Sequence, residues 1–76
     1  MAEYGVILFH NSSSAMQAEA VLVRARLAVK LIPTPREFSS DCGISLRFDW
    51  SLNGKVKTLL ESAHVEIAGI HAPFGN

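Results

Sequence analysis

Six short segments of this chain alternate between two hydrophobic periods, and their order restricts the fold more than any other feature. Tyr4-Gly5-Val6-Ile7-Leu8-Phe9 is almost wholly apolar and partly β-branched, the composition of a strand covered on at least one face. His10-Asn11-Ser12-Ser13-Ser14 follows with a turn and helix-start composition. Ala15, Ala18, Leu22 and Ala25 then recur at helical spacing, with Val21 widening the stripe, which predicts a helix over about 13–26. Val29 to Ile32 reads as a short second strand ending at Pro33. Ile44, Leu46 and Phe48 alternate with Ser45, Arg47 and Asp49, so the former should face the helices and the latter solvent. Asp49 or Ser51 can cap a second helix with the stripe Leu52, Val56, Leu59, Leu60 and Ala63, weakened near its start by Gly54. Trp50 is expected to pack where that helix begins. Val65 to Ile70 reads as the last strand, and 72–76 as a frayed tail.

The resulting order, β-α-β-β-α-β, predicts an α+β fold of the ferredoxin-like, split β-α-β kind. This is a two-layer sandwich with an antiparallel or mixed four-stranded sheet in the order 4-1-3-2. Right-handed crossovers would make strands one and two parallel, with strand three antiparallel between them. Residues 1–76 are read as one domain. A chain of this size buries only about 60% of the surface its unfolded form exposes, so a homodimer would help it. The same topology places the turn at 10–14, the start of helix one, the loop at 34–43 and His64 at one end of the sheet. It sends His71 to the other end.

Composition argues against several function classes. Seven basic and seven acidic residues cancel, and no run of like charge supplies a nucleic-acid footprint. No apolar run reaches transmembrane length, and the start lacks the basic region of a signal peptide. A cytoplasmic location without membrane association is therefore expected. His10, His64 and His71 show no metal-ligand spacing, and no cofactor is expected.

Cys42 is the only cysteine. An internal disulfide and a multi-cysteine metal site are thereby excluded, and a cytoplasmic thiol stays reduced. It stands near the end of Pro33-Thr34-Pro35-Arg36-Glu37-Phe38-Ser39-Ser40-Asp41-Cys42-Gly43, which joins two strands. Such connections usually take about 2–5 residues; this one takes roughly ten, and two prolines stiffen its start. Arg36, Arg47 and the N-terminus of helix one would favour a thiolate, while Asp41 opposes it. Ser39, Ser40 and the N–H groups of Gly43 and Ile44 could donate to a sulfur anion, and Gly43 would let the backbone come close. The bland alternative is a small apolar plug under the loop, since cysteine is often buried. His10 could serve as a base toward Cys42, or be an exposed turn histidine. Arg36 and Arg47 could clamp an anion, or be solvated surface residues. The serines at 12–14 could bind an anion or simply cap the helix.

The segment Ile32 to Gly43, with Leu46-Arg47-Phe48 after it, resembles the selenium/sulfur carrier protein-like family, long described as a domain of unknown function. Ala15-Met16-Gln17-Ala18-Glu19 with Leu22, and Val56-Lys57 with Leu59-Leu60, extend the resemblance over roughly residues 4–71. The resemblance implies that Cys42 carries sulfur or selenium as a persulfide or selenopersulfide. It also implies that Pro35, Arg36, Ser39, Ser40 and Gly43 form the motif around it. Sulfur or selenium donor and acceptor proteins would be the partners, and the chain a carrier more than a complete enzyme. One departure is Arg26, where the family has a glycine after helix one. A ligand-binding or protein-interaction module without thiol chemistry is the alternative, since the fold hosts both. An acylphosphatase-like enzyme ranks last, for want of a glycine-rich phosphate loop near the first strand.

Overall fold

The alternation in Ile44 to Asp49 produces the central feature of the computed structural model, which describes residues 3–38 and 42–74. The elements in chain order are β1 (Tyr4–Leu8), α1 (Ser12–Arg24), β2 (Val29–Pro33), β3 (Ile44–Asp49), a 3-10 turn (Trp50–Leu52), α2 (Asn53–Ser62) and β4 (Gly69–Phe74). The strands form one antiparallel sheet in the order β2-β3-β1-β4, which is 4-1-3-2 read from the other edge. β1 and β2 run the same way on either side of β3, as expected.

Register assigns the two faces. Ile7 lies opposite Leu46 and Ile70, while Phe48 lies between Gly5 and Val29. Ile7, Phe9, Leu46 and Phe48 pack with Ala15, Ala18 and Leu22 of α1 and with Val56 and Leu60 of α2. The predicted register of β3 therefore holds. Gly5 is required in this layer: a Cβ there would stand 2.6 Å from the Phe48 ring and 2.7 Å from the Trp50 ring. Those rings tilt together at 5.9 Å, so Trp50 packs where it was expected.

Three expectations are corrected. The final strand is β4 at Gly69–Phe74, not 65–70, so Ala72 to Phe74 of the expected frayed tail are strand; residues 75–76 lie outside the described part. Residues 65–68 are instead needed to bring the chain from α2 to the sheet edge, where the Ala68 N–H donates to the Leu8 carbonyl at 2.7 Å. His71 consequently pairs with Val6, midway along β1, rather than sitting beyond the far end of the sheet. Finally, α1 is capped not by a serine but by Asn11, whose Oδ1 accepts from the Ser14 N–H at 2.9 Å.

Both helices end alike. After α1 the Arg26 N–H donates to Val23 and the Leu27 N–H to Leu22; after α2 His64 donates to Glu61 and Val65 to Leu60. These are Schellman caps, whose central residue takes the left-handed conformation. Arg26 has φ 66° and His64 has φ 57°. Asp49 starts the 3-10 turn before α2, its Oδ1 accepting from the Ser51 N–H at 3.0 Å and the Ser51 hydroxyl at 2.9 Å. These bonds hold its carboxyl below the ordinary range.

Candidate functional site

The face of the sheet away from the helices carries Val6, Leu8 and Ser45, and all three are buried. Ser45 was expected to face solvent. It is buried because the connection between β2 and β3 turns back over this face. Phe38 stacks on His71 of β4, with ring centroids 4.2 Å apart. A turn closed by the Phe38 N–H donating to the Pro35 carbonyl at 3.0 Å brings the ring there.

Thr34 ties the two ends of this connection together. Its N–H donates to the Gly43 carbonyl at 2.9 Å. Its hydroxyl donates to the Cys42 carbonyl at 2.9 Å and lies 2.7 Å from the Ser45 hydroxyl. Because a threonine hydroxyl has one proton, the proton between the two hydroxyls belongs to Ser45. The backbone of Cys42 is thus fixed from the open face of the sheet.

The sulfur itself points the other way. Cys42 is 6% exposed and packs in the cluster formed by Ile7, Phe9, Leu46 and the helices. The Ile44 N–H donates to Cys42 Sγ at 3.4 Å, one of the two backbone donors anticipated. Gly43 plays a different part from the one expected. It is exposed, and a Cβ there would meet nothing within 4 Å among the described residues, so close backbone approach is not its role.

The other candidate residues separate into groups. His10 is exposed in the bend after β1, at the sheet end where Leu8 pairs with Ser45 and where Cys42 leads into β3. His64 is exposed beyond α2, in the chain that returns to Leu8. Pro35 is half-buried and Arg36 is exposed in the connection. Ser39, Ser40 and Asp41 lie outside the described residues. Arg47 is not brought to the thiol. Its guanidinium carbon lies 4.3 Å over the centre of the Tyr4 ring, toward the start of β1 and on the face opposite the sulfur. Alternation along β3 dictates this, since Arg47 shares a face with Ser45.

No group of three or more metal-ligating side chains occurs among the described residues. No helix among them is long and apolar enough to cross a membrane.

A family model described as "putative Se/S carrier protein-like" matches residues 4–72. The chain belongs to the Se/S carrier protein-like family. Neither a curated protein nor a solved structure matches it. In this Se/S carrier-like chain Arg26 occupies the left-handed position after α1, the conformation that glycine adopts without strain. The departure noted in the sequence is thus accommodated with the turn intact.

Sequence reasoning missed Thr34, Ser45 and the Phe38–His71 pair. Ser45 sits at a regular polar position of the alternating strand, so the sequence carries no signal for its burial. Nothing local distinguishes it from a solvated serine.

Proposed function

We propose that this protein is a sulfur or selenium carrier that holds a persulfide or selenopersulfide on Cys42, within a fold we read as ferredoxin-like. The observation that carries the reading is the Ile44 N–H aimed at the sulfur of the only cysteine, inside the segment matched by the family. The sulfur anion is the nucleophile in such a transfer.

The transfer balances without an oxidant. Cys42 thiolate attacks the outer sulfur of a donor persulfide. A bond forms between Cys42 Sγ and that atom as the donor's own S–S bond breaks, and the donor leaves as a thiolate. A nucleophile of the acceptor later attacks the outer atom, and Cys42 leaves in turn. Selenium follows the same course. Arg36, exposed in the same connection, is the cation available to the terminal anion, with Pro35, Ser39, Ser40 and Gly43 shaping the motif. The reaction needs donor and acceptor proteins and no resident cofactor, and we place it in the cytoplasm, where a thiol stays reduced. Since Cys42 is buried, its sulfur must become exposed before a donor reaches it.

Intact-mass spectrometry after incubation with a persulfide donor, and separately with selenide plus a disulfide oxidant, tests the reading. The expected result is a gain of one sulfur or one selenium atom, reversed by a thiol reductant and absent in Cys42→Ser. Labelling only after denaturation, or equal labelling of Cys42→Ser, would refute it.

The burial of Cys42 favours a second reading, a small-molecule-binding or protein-interaction module without thiol chemistry. Such a module would keep its function in Cys42→Ser.

A further inference from the structure

Two cations face each other across β2 and β3 on the open side of the sheet. Lys30 and Arg47 are direct cross-strand partners. Like charges placed directly opposite are destabilising, and such a pair is normally offset by a nearby carboxylate. Here neither Lys30 nor Arg47 forms an ion pair among the described residues. Arg47 is stationed instead by the Tyr4 ring, 4.3 Å beneath its guanidinium carbon. That contact holds the guanidinium against the ring without using its N–H groups.

A cavity of about 300 Å³ opens beside the pair, lined by Tyr4, Lys30, Arg47 and Asp49 together with Val29 and Phe48. This is near the lower end of small-molecule sites, and its open-face side chains are Tyr4, Lys30, Arg47 and Asp49, since Val29 and Phe48 project toward the helices. The one carboxylate in the lining, Asp49, stands opposite Tyr4 and turns its Oδ1 to the two Ser51 donors. Its charge is therefore engaged at the capping turn, yet it remains close enough to the cavity to repel a second negative charge.

We propose that this cavity binds a small carboxylate, its planar anion held by the Arg47 fork and the Lys30 ammonium. The Asp49 wall selects one negative charge, so a monocarboxylate is bound in preference to a phosphate dianion. The site lies toward the start of β1, away from Cys42, and stands independently of the carrier reading.

Titration of the labelled protein with benzoate, followed by backbone amide shifts in NMR at constant ionic strength, tests this. Saturable shifts should centre on Lys30, Arg47 and Tyr4, with chloride giving none and inorganic phosphate at neutral pH binding more weakly. Hydrogen bonds to charged groups contribute about 1.5–3 kcal/mol, so Lys30→Met and Arg47→Met should each weaken benzoate by roughly tenfold or more. Lys30 is exposed, so its variant keeps the fold intact if Arg47→Met does not. Non-saturable shifts, phosphate binding more tightly than benzoate, or unchanged affinity in Lys30→Met would each overturn the proposal.

Discussion

Phe38 and His71 stack nearly face to face, with ring centroids 4.2 Å apart and planes 19° from parallel. The two residues belong to a connection and to an edge strand that share no backbone pairing. Their contact holds Phe38 on the open face of the sheet, the face that carries the buried Val6, Leu8 and Ser45.

Removing the stack should expose the thiol. Aromatic pairs contribute about 0.5–1.5 kcal/mol beyond the area they bury. If the connection must open for a reagent to reach Cys42, Phe38→Ala raises the alkylation rate in the folded protein by roughly 2–10-fold. His71→Ala should act in the same direction. The rate of reaction with iodoacetamide at fixed pH is the readout. An unchanged rate in both variants would show that the stack does not hold the site closed.

Thr34 and Ser45 should behave as a coupled pair. Thr34→Val leaves the buried Ser45 hydroxyl and the Cys42 carbonyl without their partner, at a cost of about 1–3 kcal/mol. Adding Ser45→Ala to that variant should recover part of the loss, because a buried hydroxyl with no acceptor has been removed. Urea denaturation of the two single variants and the double variant measures the coupling. Strict additivity of the two changes would show the hydroxyl contact to be energetically idle.

Gly5→Ala should destabilise the fold by about 1–3 kcal/mol, the usual range for overpacking a core. The new methyl would meet the Phe48 and Trp50 rings at 2.6 and 2.7 Å, well inside contact distance. A lowered melting temperature with a red-shifted Trp50 emission would report both effects. Wild-type stability would mean that the rings move aside freely.

Arg26→Gly and His64→Gly should stabilise the protein, each by about 0.5–1 kcal/mol. Both residues hold positive φ at Schellman caps, a conformation costing side-chain-bearing residues about 1–2 kcal/mol, and glycine gives back part of that gain in unfolded-chain entropy. Thermal melts decide the matter. Destabilisation of both would point to side-chain contacts that outweigh the backbone.

Asp49 gives a pH dependence with a definite sign. Its folded pKa is lowered by the bonds from the Ser51 N–H and hydroxyl. Its contribution is therefore present above the unfolded carboxyl pKa and is lost as pH falls through the folded one. In Asp49→Asn, stability should fall less on acidification than in the wild type. Parallel pH profiles for the two proteins would show that the carboxylate contributes nothing at the turn.

Much of the architecture was legible because it is written in local periods. The alternation Ile44, Leu46, Phe48 records which face of β3 is buried, and the stripe through Ala15, Ala18 and Leu22 does the same for α1. These patterns determined the element order and the layer facing the helices, and they left Cys42 at the sheet end shared with His10. They could not locate β4: Val65 and Ile67 look like strand residues, yet they serve the return from α2 and pack against the core there. Apolar content reports burial and does not reveal backbone pairing.

Only the tertiary structure decided what covers the open face, and with it the state of the thiol. The burial of Ser45, the stack of Phe38 on His71, the Tyr4–Arg47 contact and the inward direction of the Cys42 sulfur all join residues distant in the chain. Each depends on the register of β3 between its neighbours and on where the long connection returns. The alternation along a strand states which side chains share a face, and the neighbouring strands and loops determine whether that face meets water.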